Sequence, residues 1–372
     1  MASRKRTLLP IGIHLTAEAV HMAQLDQGDG NVQVLSKASR CFSPVASAPA
    51  AKAPDEQGDD KAAVRVDQPR YEEAMEFVRQ KIATDGFRGN DAVISLPPEH
   101  LVIQHVRLPP AQPEEMVAAL PPLLQGKLPF DPKDAVVRHI VAGMVTENNE
   151  TKQDVIVLAA LRAAIEKQVA AMTKMGLHVI GVGAEPCAMC YAYTFAASHL
   201  PATQDGPPSL MVVSIGSHLT QVAIVRGQET TFVKGVEHGS DQLVAAIAKA
   251  RGTSLAEAAA LRKRWTESSR QEDLQQAIEA YSTVRWGLDH FVDEIESCVR
   301  YHASLARGTR VDRLYFVGTQ ARDAALVKVL SAQLGVACDV GDPVGVATGA
   351  KAAAVPEPEL AVAVGLSLFS AQ

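Results

Sequence analysis

No stretch of this 372-residue sequence comes near the ~20 consecutive apolar residues that a membrane-spanning helix requires. The start, MASRKRTLLPIGIH, is basic, but its apolar run is short, interrupted by Pro10 and ended by His14, which argues against a secretory signal. Cysteines number five and are scattered (Cys41, Cys187, Cys190, Cys298, Cys338), so no disulfide framework is indicated. Charge of one sign is nowhere concentrated. The formal net charge is −6, and neither nucleic acid nor anionic lipid is offered a basic footprint. Nucleophile elbow, HExxH, Walker A and Rossmann fingerprints are missing as well. These absences predict a soluble cytoplasmic protein that reaches any membrane through a partner, without direct insertion.

What is present is enough apolar sequence, 47% of residues, for two or more packed cores. Alternation predicts strands near Leu8–Leu15, Val20–Asp26, Val32–Ala38, Ala92–Leu96 and Leu101–Leu108, with helical spacing from Tyr71 to Ala83. Between Ser43 and Gln68 the composition turns to Ala, Pro, Asp and Gly. It reads as a disordered loop inside a domain, or alternatively as a linker. From Pro113 to Lys127 a helix carries Met116, Leu120, Leu123 and Leu124, and Pro121-Pro122 should bend or break it. Strands at Ala135–Ala142 and Asp154–Ala160, a helix from Arg162 to Met175 closed by Gly176, and a strand at His178–Val182 complete an α+β unit.

A second meander opens at Ser209 and repeats the opening layout: apolar strand, turn at Gly216 to Leu219, apolar strand, third strand. This suggests an internal duplication, with chance recurrence of hairpins as the alternative. Helices are then expected at Ser240–Ala250, Leu255–Arg264 and, as one long element, Glu272–Ala306. A strand at Arg313–Gly318, a helix at Ala321–Leu334 and a buried apolar helix at Leu360–Phe369 close the chain.

Eight segments taken in order, among them IGIHLTAEAVHMAQL, VISLPPEHLVIQHVRLP, VVSIGSHLTQVAIV, YFVGTQAR and AVAVGLSL, make the chain resemble the PilM family of type IV pilus assembly proteins. That family is related to FtsA and to the cytoplasmic part of type II secretion L proteins. The resemblance implies a mixed α/β, actin-like ATPase fold of two RNase H-like halves. The first half would comprise 8–90, 178–207 and 345–372, with an SHS2-like subdomain inserted at 91–177. The second would comprise 208–239 and 310–344, with a helical insertion at 240–309.

An actin-like cleft holds ATP with an acid at a strand end, small residues in two phosphate-facing turns and paired glycines at the adenosine. Here His14 and Ser214 stand where acids are expected, Thr16 replaces a turn glycine, His21 a basic residue, and Thr319 the second adenosine glycine. Gly12, Thr16, Gly216, Ser217, Gly318 and Thr319 are what remains of a nucleotide site. Without those carboxylates a hard Mg²⁺ loses the ligands that order its water shell. Glu18 adds repulsion: at ~6 Å and an effective dielectric of ~20, each like-charge pair costs on the order of 3 kcal/mol before screening. No cofactor is therefore expected, ATP with Mg²⁺ being the one to test, and no hydrolysis. An ATP-binding assembly protein whose nucleotide state regulates partner binding or self-association is the alternative. A small-molecule kinase would need a carboxylate base, for which Glu185, Asp91 and Glu237 are the candidates.

Two further constellations carry chemistry. If the first turn spans Leu15 to Glu18, His14 pairs Ala19 and lies diagonal to His21, with His218 facing both across the cleft. These imidazoles could hold a transition metal, or, more simply, fill space beside a decayed site. Cys187 and Cys190, in CAMC, share a helix face and read as buried small hydrophobes. If docking is the remaining task, the resemblance implies a groove for the N-terminal cytoplasmic tail of a PilN-like single-pass membrane protein. Its candidate residues are Val93, Leu96, Val102, Met116, Leu120, Leu124, Leu128 and Phe130.

Overall fold

The computed structural model describes residues 6–28, 31–42, 68–147, 149–199, 206–305, 310–349 and 355–369. The Ala- and Pro-rich stretch falls outside them, except Gln68, which begins a helix.

The chain opens with an antiparallel meander, β1 (Thr7–Leu15), β2 (Ala19–Gly28) and β3 (Asn31–Cys41), followed by α1 (Gln68–Thr84) and β4 (Asp91–Leu96). An inserted unit follows: β5 (Val102–Leu108), α2 (Pro113–Leu124), β6 (Ala135–Glu147), β7 (Glu150–Leu161) and α3 (Arg162–Lys174). The chain then returns to the first sheet through β8 (His178–Ala184) and leaves it as α4 (Glu185–His199). The second half has β9 (Ser209–Ile215), β10 (Thr220–Arg226) and β11 (Glu229–Val236). Four helices come next: α5 (Ser240–Arg251), α6 (Leu255–Glu267), α7 (Gln271–Thr283) and α8 (Arg285–Leu305). It ends with β12 (Arg313–Val317), α9 (Ala324–Gln333), β13 (Cys338–Val340), α10 (Pro343–Thr348) and α11 (Ala361–Leu368).

Two five-stranded sheets result, ordered β3-β2-β1-β4-β8 and β11-β10-β9-β12-β13: the same meander followed by two parallel strands, built twice. Side-chain alternation decides what each face meets. In the first sheet Ile11, Ile13 and Met22 face α1 and α3, packing on Phe77, Val78 and Met172. In the second, Met211, Val213, Val222 and Ile224 face the helical insertion, with Tyr281, Phe291 and Ile295. Between the two sheets lie α11, against β1 and β2, and α4, against β9 and β10. Burial holds this middle layer together, and Val364 and Met189 are both fully enclosed. Two glycines make the layer possible. A Cβ on Gly12 would lie 2.0 Å from the Ala363 carbonyl oxygen, and one on Gly365 1.7 Å from that of Ala188.

The inserted unit is a three-stranded sheet, β5-β7-β6, with α2 on one face. The other face is turned to the second half, where the His105 imidazole donates from Nε2 to the Val233 carbonyl at 2.7 Å. Ile103, Ile140 and Ile156 join the core that contains Val233.

Several sequence expectations are corrected. The proline pair does not break α2, because it sits in the last turn, and the carbonyls of Val117 and Ala118 that lose their donors belong to exposed residues that water can serve. The expected long helix is two, separated at Val284 (φ −86°, ψ 35°). The apolar spacing Ala277, Tyr281, Val284, Leu288, Phe291 runs on unbroken across the junction, so periodicity could not reveal it. The helix expected from Ala321 begins at Ala324, after a 3-10 turn over Thr319–Arg322, with the Asp323 carboxylate capping the Leu326 N–H at 3.1 Å. β6 and β7 also run on to a turn at Asn149, whose φ of 64° is left-handed.

Candidate functional site

The cleft between the halves is framed by two hairpin turns. In the first, the Thr16 hydroxyl accepts from the N–H groups of Glu18 (3.2 Å) and Ala19 (3.0 Å), so a threonine side chain supplies the bracing. In the second, Gly216 N–H bonds the Leu219 carbonyl at 3.1 Å, and a Cβ on Gly216 would stand 2.7 Å from that oxygen. The carbonyls of Gly216 and Ser217 accept from Ser240 N–H (2.9 Å) and Asp241 N–H (3.0 Å), which consumes donors at the start of α5 that could otherwise receive an anion.

The first-hairpin register is two residues from the expected one. His14 pairs directly with His21, their ring centroids 5.6 Å apart, rather than with Ala19. A slip of two preserves the face, which is why both rings still point into the cleft. His21 Nδ1 lies 2.6 Å from the Ser39 hydroxyl and Nε2 3.4 Å from that of Thr319, across the cleft. Burial, then the charges of His14 and Arg322, hold the His21 imidazole well below its usual range, so it is neutral at pH 7. His14 has no hydrogen-bond partner on either nitrogen, and its Nε2 lies 3.7 Å from a carboxylate oxygen of Glu185, at the start of α4. His218 does not join them. Its side chain is 84% exposed and pairs with Asp241 at 3.1 Å. Among the described residues no group of three or more His, Cys, Asp or Glu is arranged to hold a metal ion. Of the carboxylates considered as bases, Glu185 reaches the cleft, whereas Asp91 pairs with exposed His178 and Glu237 is at the surface.

The other nucleotide-site candidates have different duties. Gly12 is packed beneath α11 and cannot offer backbone to a ligand. Gly318 has a left-handed φ of 79° that a side chain would strain. Its N–H is taken by the Pro358 carbonyl at 2.8 Å, and a Cβ would stand 2.9 Å from the Ser214 hydroxyl oxygen. Ser214 itself is buried. Neither β1 nor β9 ends in an acidic residue, Glu185 being the carboxylate beside His14, and burial raises the Glu18 carboxyl above its usual range.

Cys187 and Cys190 lie on α4, Cys190 fully buried; burial pushes the Cys187 thiol up to about 12 and raises that of Cys190 as well, so neither is a ready nucleophile.

The groove candidates are also redistributed. Met116, Leu120, Leu124 and Leu128 turn inward onto Val106, Val155 and Val157 as the core of the inserted unit, and Val93 and Leu96 are buried in β4. Val102 and Phe130 are partly exposed at the end of the inserted sheet, where Val102 pairs Ala159 and exposed Leu161 pairs Ala135. Leu161 was missed because a strand's last residue carries no periodic signal of its own exposure.

Two equivalent five-stranded sheets around a helical layer, with an α+β unit inserted after the fourth strand, define an actin-like fold protein. The family model for the type IV pilus assembly protein PilM matches residues 59–371, and the chain belongs to that family. Among solved structures it is similar to the PilM-PilN type IV pilus biogenesis complex, with a TM-score of 0.71 at 18% identity over 98% of each chain. It is also similar to the ethanolamine utilization protein EutJ from Carboxydothermus hydrogenoformans, with a TM-score of 0.52 at 16% identity over 99% of this chain and 91% of that one.

Proposed function

We propose that this protein is a scaffold of a type IV pilus or type II secretion-like assembly machine, holding the N-terminal cytoplasmic tail of a PilN-like inner-membrane protein and hydrolysing no ATP. Family membership and the likeness to a PilM-PilN complex support the partner. The observation that carries the second half is the cleft floor. His14 and His21 face each other across the first hairpin, where the resemblance calls for a metal-ordering acid, and burial of Glu18 in the adjoining turn adds a carboxyl beside them. With catalysis set aside, affinity for a tail comes from apolar burial and backbone hydrogen bonds.

The tail docks at the end of the inserted sheet beside the first half, on Val102, Phe130 and Leu161. Among the described residues no helix is long and apolar enough to cross a membrane, in keeping with a peripheral place reached through the partner. Titration calorimetry with a synthetic cytoplasmic tail of the neighbouring single-pass protein tests the first half and should give saturable binding. Phosphate release from millimolar Mg-ATP tests the second, and none above the protein-free rate is expected; thermal unfolding with the same nucleotide reports separately whether it binds, since a ligand held only by the folded state raises the midpoint.

A further inference from the structure

The inserted sheet leaves one long edge open. β6 is its outer strand, and among the described residues Val136–Thr146 make no backbone-to-backbone hydrogen bonds except those to β7. A free ladder edge of that length is a template for another strand. Its side chains are apolar too. Helix α2 packs over Val106 of β5 and over Val155 and Val157 of β7, which leaves Val141 and Met144 of β6 44% and 43% exposed.

Residues three apart in a regular strand point to opposite faces. These two do not, because β6 carries an extra residue: Val141 pairs with Val155 and Gly143 with Asp154, and Ala142 is bulged between them. Val155 belongs to the core beneath α2. Gln153, the partner of Met144, turns the same way, since its side-chain oxygen accepts from Ala111 N–H at 3.2 Å just ahead of α2. Val141 and Met144 therefore share the α2 face. Nothing crowds the bulge, for a Cβ on Gly143 would meet no atom within 4 Å.

We propose that β6 pairs antiparallel with β6 of a second copy of this chain, about a two-fold axis that passes between Ala142 and Gly143. An axis normal to the sheet keeps both α2 faces on one side, so opposing residues must share a face. A regular strand could not meet that condition in this register, and the extra residue lets β6 do so. Val141 then lies against Met144 of the second copy on the α2 side, and Ile140 against Val145 on the other. Charge matches as well. Arg138, whose guanidinium donates to the Val137 carbonyl at 2.9 Å and has no carboxylate partner among the described residues, comes opposite position 147, where the sequence has glutamate. By symmetry each of these contacts is made twice. The pairing rests on the fold alone, because the tail site lies at the Ala135 end of β6, and calorimetry on Val141→Lys reports on tail binding separately.

Sedimentation velocity of the full chain from low micromolar to submillimolar concentration tests it. The wild type should pass from monomer to dimer, and Val141→Lys should weaken the dimer by about tenfold or more, because each copy would bury an ammonium without a partner. Oxidative cross-linking reads the register. In a Cys41→Ser background, which removes the exposed native thiol, Val141→Cys mixed with Met144→Cys should form a disulfide-linked dimer several-fold more efficiently than either variant alone. A wild type that stays monomeric, which would leave the edge to a strand of another protein, a dimer indifferent to Val141→Lys, or cross-linking no greater in the mixture than in the single variants would each overturn the pairing.

Discussion

The His14 ring sits directly across the first hairpin from that of His21, 5.6 Å between centroids, with a carboxylate oxygen of Glu185 3.7 Å behind His14. Two facing imidazoles in a buried site resist a shared charge, because each would repel the other without water to screen them. Burial holds the His21 imidazole of this pair well below its usual range, and several measurable properties follow from that and from the packing around it.

Acid should destabilise this protein before its surface carboxylates titrate. His21 is held well below its usual range, and burial together with Arg226 pushes His302 down to about 4. A base with a lowered folded-state pKa contributes stability that is present above its unfolded value, ~6.5, and lost as pH falls toward the folded value. For His302 this amounts to at most about 3 kcal/mol between pH 7 and pH 4. Urea melts at a series of pH values should show the loss, and His302→Gln should reduce it.

Gly365→Ala should be among the most damaging single-methyl additions available. The new carbon would overlap the Ala188 carbonyl oxygen at 1.7 Å, and both partners are backbone of the middle helical layer, which cannot give way as a side chain would. We expect a loss of about 3 kcal/mol, at the upper end of what overpacking costs. Gly252→Ala is the comparison: no atom crowds that position, its left-handed φ of 63° supplies a milder strain, and thermal unfolding should rank it well above Gly365→Ala.

Arg262→Met should cost about 3–5 kcal/mol, since it leaves the Asp323 carboxylate buried with its cation removed. Arg262→Met with Asp323→Asn should recover part of that loss, because the residual charge is gone. Chemical denaturation of the two single variants and the double variant gives the coupling directly.

Leu161→Glu should abolish tail binding without lowering stability, because the side chain is 38% exposed at a strand end. Val117→Glu, on the outer surface of α2 and 59% exposed, should leave binding intact. Calorimetry with the tail peptide, beside thermal unfolding of both variants, separates docking from folding.

The strands of both meanders, the inserted α+β unit and the buried C-terminal helix were all legible, because period-two alternation and all-round apolarity are properties of contiguous residues. The second turn, at Gly216 to Leu219, was legible too. What escaped was set between distant residues. The hairpin slipped by two without changing face, α7 and α8 parted at Val284 inside an unbroken apolar stripe, and Met116, Leu120 and Leu124 became core rather than groove once the inserted sheet covered them.

By itself the amino-acid order determined that two three-strand meanders would form, since alternation and turn residues are read from local pattern, while whether they were copies of one unit stayed open. Only the tertiary structure decided that Gly12 belongs to a helix-packing contact, and that His218 points to solvent while Glu185 backs His14. Each of those outcomes depends on atoms brought together from far along the chain, where close packing permits few arrangements and no short window of sequence records which one prevails.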